Sequence, residues 1–222
     1  MVPYSVNSFD VVMRDMLALV APDRVIDFGP GAGKYGKMLR DLEADIGKRV
    51  HLTAVEVDKL GVIEKFELDT IYDEIIHDNA VNIIRRFPAL TTEVAVMGDF
   101  IEHLTKSEGR DLIEYLQYRC RHIFLVIPVD WVSFDWEGRP AESHVAIWRP
   151  VDFNAFEGAY AIERKHLDEN GEHRFVLAVV NGIRVPLDDH FVVVDDPDET
   201  RSFGYLNAPH QERPKWQLPD GY

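Results

Sequence analysis

The sequence predicts an α/β sandwich, a mostly parallel, doubly wound sheet with helices on both faces, and three observations carry this. Strand-like runs alternate with helical patterns from residue 24 to residue 128, and such β-α-β units set parallel strands side by side through right-handed crossovers. The run HIFLVIP, 122–128, is apolar almost throughout, rich in β-branched residues and closed by proline, the composition of a strand buried on both faces. Finally, RVIDFGPGAGKYG, Arg24 to Gly36, is a short strand that breaks into alternate glycines at 29, 31 and 33 and turns at once into a helical pattern. Glycine tolerates positive φ and lacks a Cβ, so backbone in such a turn approaches a ligand closely. The free N–H groups of the next helix face the same ligand.

Taken in order, residues 5–20 read as an amphipathic helix with Phe9, Val12, Met13, Met16, Leu17 and Val20 on one face, Asn7 or Ser8 as its cap and Pro22 as its stop. The glycine turn leads into a helix over about 34–45, then a strand over 50–56 ending in Glu56. A short helix is expected from Leu60 to Leu68, and a third strand running out at Asp78-Asn79. A further short helix carries Val81, Ile84 and Phe87, and EVAVM, 93–97, forms the fourth strand, ending in GDFIEHL. Thr105 and Glu108 are spaced as a capping box for a helix to about 119. Segment 129–149 holds Trp131, Phe134, Trp136 and Trp148 without clear periodicity; a loop this long is expected to be ordered and ligand-facing. Pro150 suits the first turn of a short helix, and the runs 159–167 and 173–180, joined by DENGE, read as a hairpin. Two units are expected: a domain over 1–185 and an acidic, proline-rich extension over 186–222, a route to homo-oligomers, in which FVVVDD is one further strand-like run and the tail 195–222 a peripheral arm.

Length and charge narrow the function. The 222 residues suit one domain with appendages, and a net charge of −15 disfavours a nucleic-acid substrate. The single cysteine, Cys120, excludes an intramolecular disulfide. No apolar run approaches the ~18 residues of a membrane span, and no signal-peptide pattern opens the chain; a cytoplasmic protein is expected.

Two readings compete for the glycine turn. Gly31-Ala-Gly33-Lys-Tyr-Gly36 matches G-x-G-x-x-G with Glu56 about twenty residues on, as in the dinucleotide fingerprint. Register opposes it: the turn glycine after the strand is Gly29, which puts the third fingerprint position on Lys34, and Asp27 would face a pyrophosphate. A cationic ligand without phosphate reverses the second objection.

On these residues the chain resembles the class I S-adenosylmethionine-dependent methyltransferases over about 24–180. VIDFGPGAG is similar to their first motif, Glu56 to the acidic residue that binds the ribose hydroxyls, Asp78-Asn79 to the position that meets the adenine amino group, and GDFIEHL to the motif near the methionine moiety. The resemblance implies a seven-stranded sheet whose C-terminal hairpin supplies an antiparallel strand, and S-adenosylmethionine as cofactor. It implies cofactor contacts at Asp27, Gly29, Gly31, Gly33, Glu56, Asp78, Asn79 and Asp99.

Methyl transfer to a hydroxyl needs a base. Of nine histidines, His51, His77 and His122 lie in or beside predicted strands, His166 and His173 flank the hairpin turn, and His190 and His210 belong to the tail. His103 and His144 remain as catalytic candidates. IEHLTKSEG followed by ESHVAIWRPVDF also looks like a subset of bacterial class I enzymes. No metal site is expected; adjacent ligand-type residues at Asp188-Asp189-His190 rarely converge on one ion. The expected activity is methylation of a small-molecule acceptor at a hydroxyl oxygen. An NAD(P)-binding oxidoreductase and a non-catalytic partner subunit are the alternatives.

Overall fold

Apolar side chains alternating with a period of two build the central sheet. The computed structural model describes residues 9–129, 143–168, 171–194, 201–205 and 215–216. Its strands are β1 (Arg24–Phe28), β2 (His51–Glu56), β3 (Glu74–His77), β4 (Thr92–Gly98), β5 (Cys120–Pro128), β6 (Ala159–Asp168) and β7 (Gly171–Asn181), in the spatial order β3-β2-β1-β4-β5-β7-β6. The first five are parallel, and β7 pairs antiparallel with both β5 and β6. This is the doubly wound, seven-stranded sheet with an antiparallel hairpin that the sequence predicts.

Each strand feeds two cores. In β5, Phe124 and Val126 pack into a cluster with α1 (Asp10–Val20) and α2 (Lys34–Ile46). Ile123, Leu125 and Ile127 pack on the opposite face with α3 (Ala80–Arg86) and α4 (Lys106–Gln117). Strand β1 alternates the same way, Val25 to the first cluster and Ile26 and Phe28 to the second. Asp27 therefore points to the α2 side. The strand order reverses between β1 and β4, and a ligand crevice lies at the carboxyl ends of strands flanking such a switch.

Several local expectations change. Helix α1 starts at Asp10 behind Phe9, with no side-chain cap, and closes on Ala21 at φ 44°; Asn7 and Ser8 lie outside the described residues. The helix expected at Leu60–Leu68 is two pieces, a π-helical turn (Lys59–Glu64) and a 3₁₀ turn (Leu68–Thr70). Glu67, left-handed at φ 51°, breaks them apart. The third strand stops at His77, because Asn79 caps α3 by accepting from the Val81 N–H at 3.1 Å. The capping box at Thr105 and Glu108 forms as expected.

The C-terminal segment is more than an arm. β8 (Phe191–Val194), β9 (Arg201–Tyr205) and β10 (Lys215–Trp216) form a second, antiparallel sheet. Phe191, Val193 and Phe203 are buried in the cluster that holds Phe124, so alternation in FVVV directs this strand to the core. Trp131, Phe134 and Trp136 lie outside the described residues. Trp148, expected to face a ligand, is fully buried against Phe153 and Gly109 instead.

Candidate cofactor and acceptor site

The glycine turn is built from left-handed backbone: φ is +64° at Gly29, +52° at Gly31 and +78° at Gly33, conformations in which side chains are strained. Space is also short at Gly29, where an added Cβ would lie 2.4 Å from Phe100 Cδ2. The Gly29 N–H bonds the Val55 carbonyl at 3.0 Å, tying the turn to β2. Lys34, the residue that disrupts the dinucleotide register, pairs with Asp10 on α1 at 2.5 Å. The close approach in α2 falls instead at Gly36, where a Cβ would meet Tyr72 at 2.5 Å.

Asp27 sits beneath this turn, 2 % exposed. Tyr72 donates to its Oδ2 at 2.5 Å, while Oδ1, equally buried, has no hydrogen-bond partner among the described residues. Burial pushes the Asp27 carboxyl up to about 7; the Tyr72 hydrogen bond opposes this and the Glu56 charge adds to it. Glu56, at the end of β2, is held by its own following backbone: the Val57 and Asp58 N–H groups both donate to Oε1 at 2.8 Å.

At the end of β3, Asp78 accepts from the Asn79 N–H and from Asn82 Nδ2, each at 2.8 Å, and pairs with Arg86. The Asn82 bond leads the contacts that hold its carboxyl below the usual range. Both predicted residues stand at the carboxyl end of a strand, but each already has work in the fold, Asp78 as an ion pair and Asn79 as a cap.

Past β4 the chain turns at Asp99, left-handed at φ 48°, with its N–H on the Val126 carbonyl at 2.8 Å. Tyr35 of α2 lies against Gly98, where a Cβ would come within 2.1 Å of its ring. After burial, the charges of Asp99, Asp10, Asp27 and Glu102 all push the Tyr35 hydroxyl to a higher pKa. Acidic groups from α1, β1 and the chain after β4 thus converge on one ring.

A single 3₁₀ turn (Ile101–His103) presents Glu102 and His103 beside one another. The segment after residue 142 returns to it: the Val145 and Ala146 N–H groups bond the Glu102 carbonyl at 2.9 and 3.1 Å. His144 is thereby set against His103, ring centroids 4.8 Å apart and nearly perpendicular, with His144 Nε2 at 3.9 Å from Glu102 Oε1. Glu102 is 1 % exposed, and neither carboxylate oxygen has a hydrogen-bond partner among the described residues. Burial, then the Asp99 charge, pushes its carboxyl well up. Burial, then the neighbouring His103, lowers His144 to about 4, so its imidazole is neutral at pH 7. Ligand-type atoms of Glu102, His103 and His144 lie within 4.8 Å of one another.

The two histidines chosen from sequence therefore meet. Glu102 went unselected because a mid-motif glutamate has no sequence mark of burial. Tyr35, which the sequence places on the apolar face of its helix, and Tyr72 carry no sequence mark of a site role, since they reach the site from α2 and from the chain before β3. His122 is a core residue, its Nδ1 bonded to Asn181 Oδ1 at 2.8 Å, and His77 Nε2 contacts the Val57 carbonyl at 3.1 Å. His190, assigned to the tail, is buried with its Nε2 at 3.2 Å from the Val185 carbonyl.

No protein-family model matches the sequence, and no curated protein matches it. Among solved structures, the chain is similar to the methyltransferase domain of bacterial CtHen1-C, at 17% identity and a TM-score of 0.53, over 79% of this chain and 98% of that one. It is similar to the N-terminal domain of EvdMO1 solved with SAH bound, at 11% identity and a TM-score of 0.54, over 78% and 80%. A SAM-dependent methyltransferase from Archaeoglobus fulgidus matches at 13% identity and a TM-score of 0.54, over 78% and 92%. At these identities the likeness establishes architecture, and strand order, antiparallel hairpin and glycine turn agree with it: the chain has the class I, seven-stranded fold of the S-adenosylmethionine-dependent methyltransferases.

Proposed function

We propose that this protein is an S-adenosylmethionine-dependent methyltransferase that methylates a small-molecule acceptor at a hydroxyl oxygen. The observation that carries the reading is Asp27 Oδ1, a buried acceptor with no hydrogen-bond partner among the described residues, beneath three glycines of positive φ. The charges felt around it at Tyr35, from Asp10, Asp99 and Glu102, are acidic as well. Such a site repels a pyrophosphate and attracts a ligand bearing a sulfonium and an ammonium. The EvdMO1 domain, which shares the fold, has been solved with SAH bound and in the presence of SAH and D-fucose.

In this reading Asp27 and Gly29, Gly31 and Gly33 hold the amino-acid end of the cofactor, with Asp99 beside it. Glu56 takes the ribose hydroxyls, and Asp78-Asn79 the adenine edge. Bound S-adenosylmethionine supplies an electrophilic methyl group whose leaving group is a neutral thioether. The chain's task is alignment, which contributes on the order of 7–11 kcal/mol in well-oriented systems, together with removal of the acceptor proton. His103 and His144 are assigned that removal: they adjoin each other, and the His144 ring is neutral at pH 7. The net charge of −15 favours a small acceptor over a polyanion.

Transfer of labelled methyl groups across a panel of hydroxyl-bearing small molecules tests the proposal. His103→Ala and His144→Ala are expected to bind S-adenosylhomocysteine as the parent does, with at least one slowed ~100-fold or more, in the range of lost general-base catalysis. If neither variant slows transfer, the base assignment fails. Cofactor binding with no methylation of any acceptor would make this a non-catalytic member of the fold.

A further inference from the structure

We propose that Glu102, His103 and His144 form a binding site for one divalent first-row transition-metal ion. One carboxylate and two imidazoles are a mixed oxygen and nitrogen donor set, which suits manganese, iron, cobalt or zinc better than the all-oxygen ions magnesium and calcium. Their ligand atoms already lie within 4.8 Å of one another. Around an ion with bonds of ~2.1 Å, neighbouring ligand atoms stand roughly 3–3.5 Å apart, so the set needs to contract only by ~1.5 Å or less to hold one.

Glu102 points to a ligand independently. It is 1 % exposed, and among the described residues neither of its buried oxygens has a hydrogen bond and no Lys or Arg pairs with it. A buried carboxylate left in that condition is costly, and a dication at the cluster removes the cost. The surrounding backbone is built to hold the ligands. Val145 and Ala146 bond the carbonyl of Glu102 itself, which fixes where His144 stands. Trp148, buried against Gly109 of α4, anchors the same segment. His103 Nδ1 lies 3.3 Å from the Ser143 carbonyl. A carbonyl only accepts, so this contact places the proton on Nδ1 and directs the Nε2 lone pair outward, the second-shell arrangement usual for metal-binding histidines. Asp99 adds a further carboxylate whose charge is felt at Glu102.

Three protein ligands leave coordination positions open, as in catalytic rather than structural sites. The use of those positions rests on the methyltransferase reading. An acceptor hydroxyl bound to the ion loses its proton to solvent water, the oxygen forms its bond to the methyl carbon, and the carbon–sulfur pair leaves on sulfur. This deepens the assignment of His103 and His144 to removal of the acceptor proton: with an ion bound they act through it and the proton passes to water, and with none bound the neutral His144 imidazole is the acceptor.

The test uses the full, tag-free chain, stripped with EDTA, desalted, and titrated separately with Mn²⁺, Co²⁺ and Zn²⁺ by calorimetry, with Co²⁺ followed by its visible d–d bands. One equivalent is expected to bind. Glu102→Gln, His103→Asn and His144→Ala are each expected to weaken binding by at least about 100-fold, beyond the ~10–100-fold typical of outer-shell losses. Circular dichroism identifies which variants fold, and any one that folds suffices. Absence of stoichiometric binding of all three ions by the parent chain overturns the inference, as does a folded variant that binds like the parent. S-adenosylhomocysteine is titrated in parallel: its binding without metal binding sinks the metal site alone, and the reverse sinks the methyltransferase reading alone.

Discussion

Replacing Asp27 by asparagine should stabilise the ligand-free protein at alkaline pH while removing cofactor binding. Burial raises the Asp27 carboxyl from its ordinary 3.8 to about 7, so the native state binds a proton more tightly than the unfolded chain. The consequence for stability has a definite sign. Below 3.8 both states are protonated and nothing is lost; between 3.8 and about 7 the unfolded state ionises first, and native stability falls as pH rises. Above 7 the full penalty, at about 1.4 kcal/mol per tenfold change in proton affinity, is ~4 kcal/mol. By the same linkage it is ~1.7 kcal/mol at pH 5. Asparagine has no such titration. It keeps an acceptor for Tyr72 but places an amide where Oδ1 has no partner among the described residues, a fixed cost of ~1–3 kcal/mol. Urea unfolding of parent and variant at pH 5 and pH 8 should therefore show Asp27→Asn gaining ~2.5 kcal/mol relative to the parent between the two pH values, whatever that fixed cost. An equal stability difference at both pH values would refute the claim that Asp27 is strained by its burial.

Two further outcomes follow from packing. Gly98→Ala sets a Cβ 2.1 Å from the buried ring of Tyr35 and should destabilise by ~1–3 kcal/mol, the usual cost of overpacking; an unchanged urea midpoint would show that the ring moves aside freely. Cys120 is 7 % exposed and burial pushes its thiol pKa up, so iodoacetamide should leave it untouched in the native protein and label it on unfolding. Native labelling at the rate of a free thiol would contradict its place beneath α4.

Much of the framework was legible because it depends on local pattern. The near-continuous apolar run HIFLVIP foretold a strand buried on both faces, the Thr105–Glu108 spacing foretold a capped helix, and three glycines after an apolar run foretold a left-handed turn. What escaped depends on distant partners. The burial of Glu102 arises from residues 143–148 folding back on its carbonyl, and Tyr72 reaches Asp27 across 45 positions of sequence. Trp148 carried the ambiguity of any aromatic in an aperiodic stretch, which packs a core or lines a site with equal chemical ease. The break at Glu67 left no periodic trace, since left-handed backbone at a single glutamate is a response to tertiary packing. In the C-terminal sheet the apolar run FVVV is legible as a strand, whereas the strands Arg201–Tyr205 and Lys215–Trp216 lie in a proline-rich, acidic tail with no strand-like pattern to mark them.

The central claim is that the glycine turn with Asp27 receives a ligand that carries an α-ammonium and no phosphate. Calorimetry of the parent chain and of Gly31→Val, titrated with S-adenosylhomocysteine and with NADH, tests it most directly. The account predicts one equivalent of S-adenosylhomocysteine bound by the parent, weakened ~10-fold between pH 8 and pH 6 as Asp27 takes up its proton, with no binding by Gly31→Val and none of NADH by either protein. Stoichiometric NADH binding by the parent, with S-adenosylhomocysteine excluded, would contradict it.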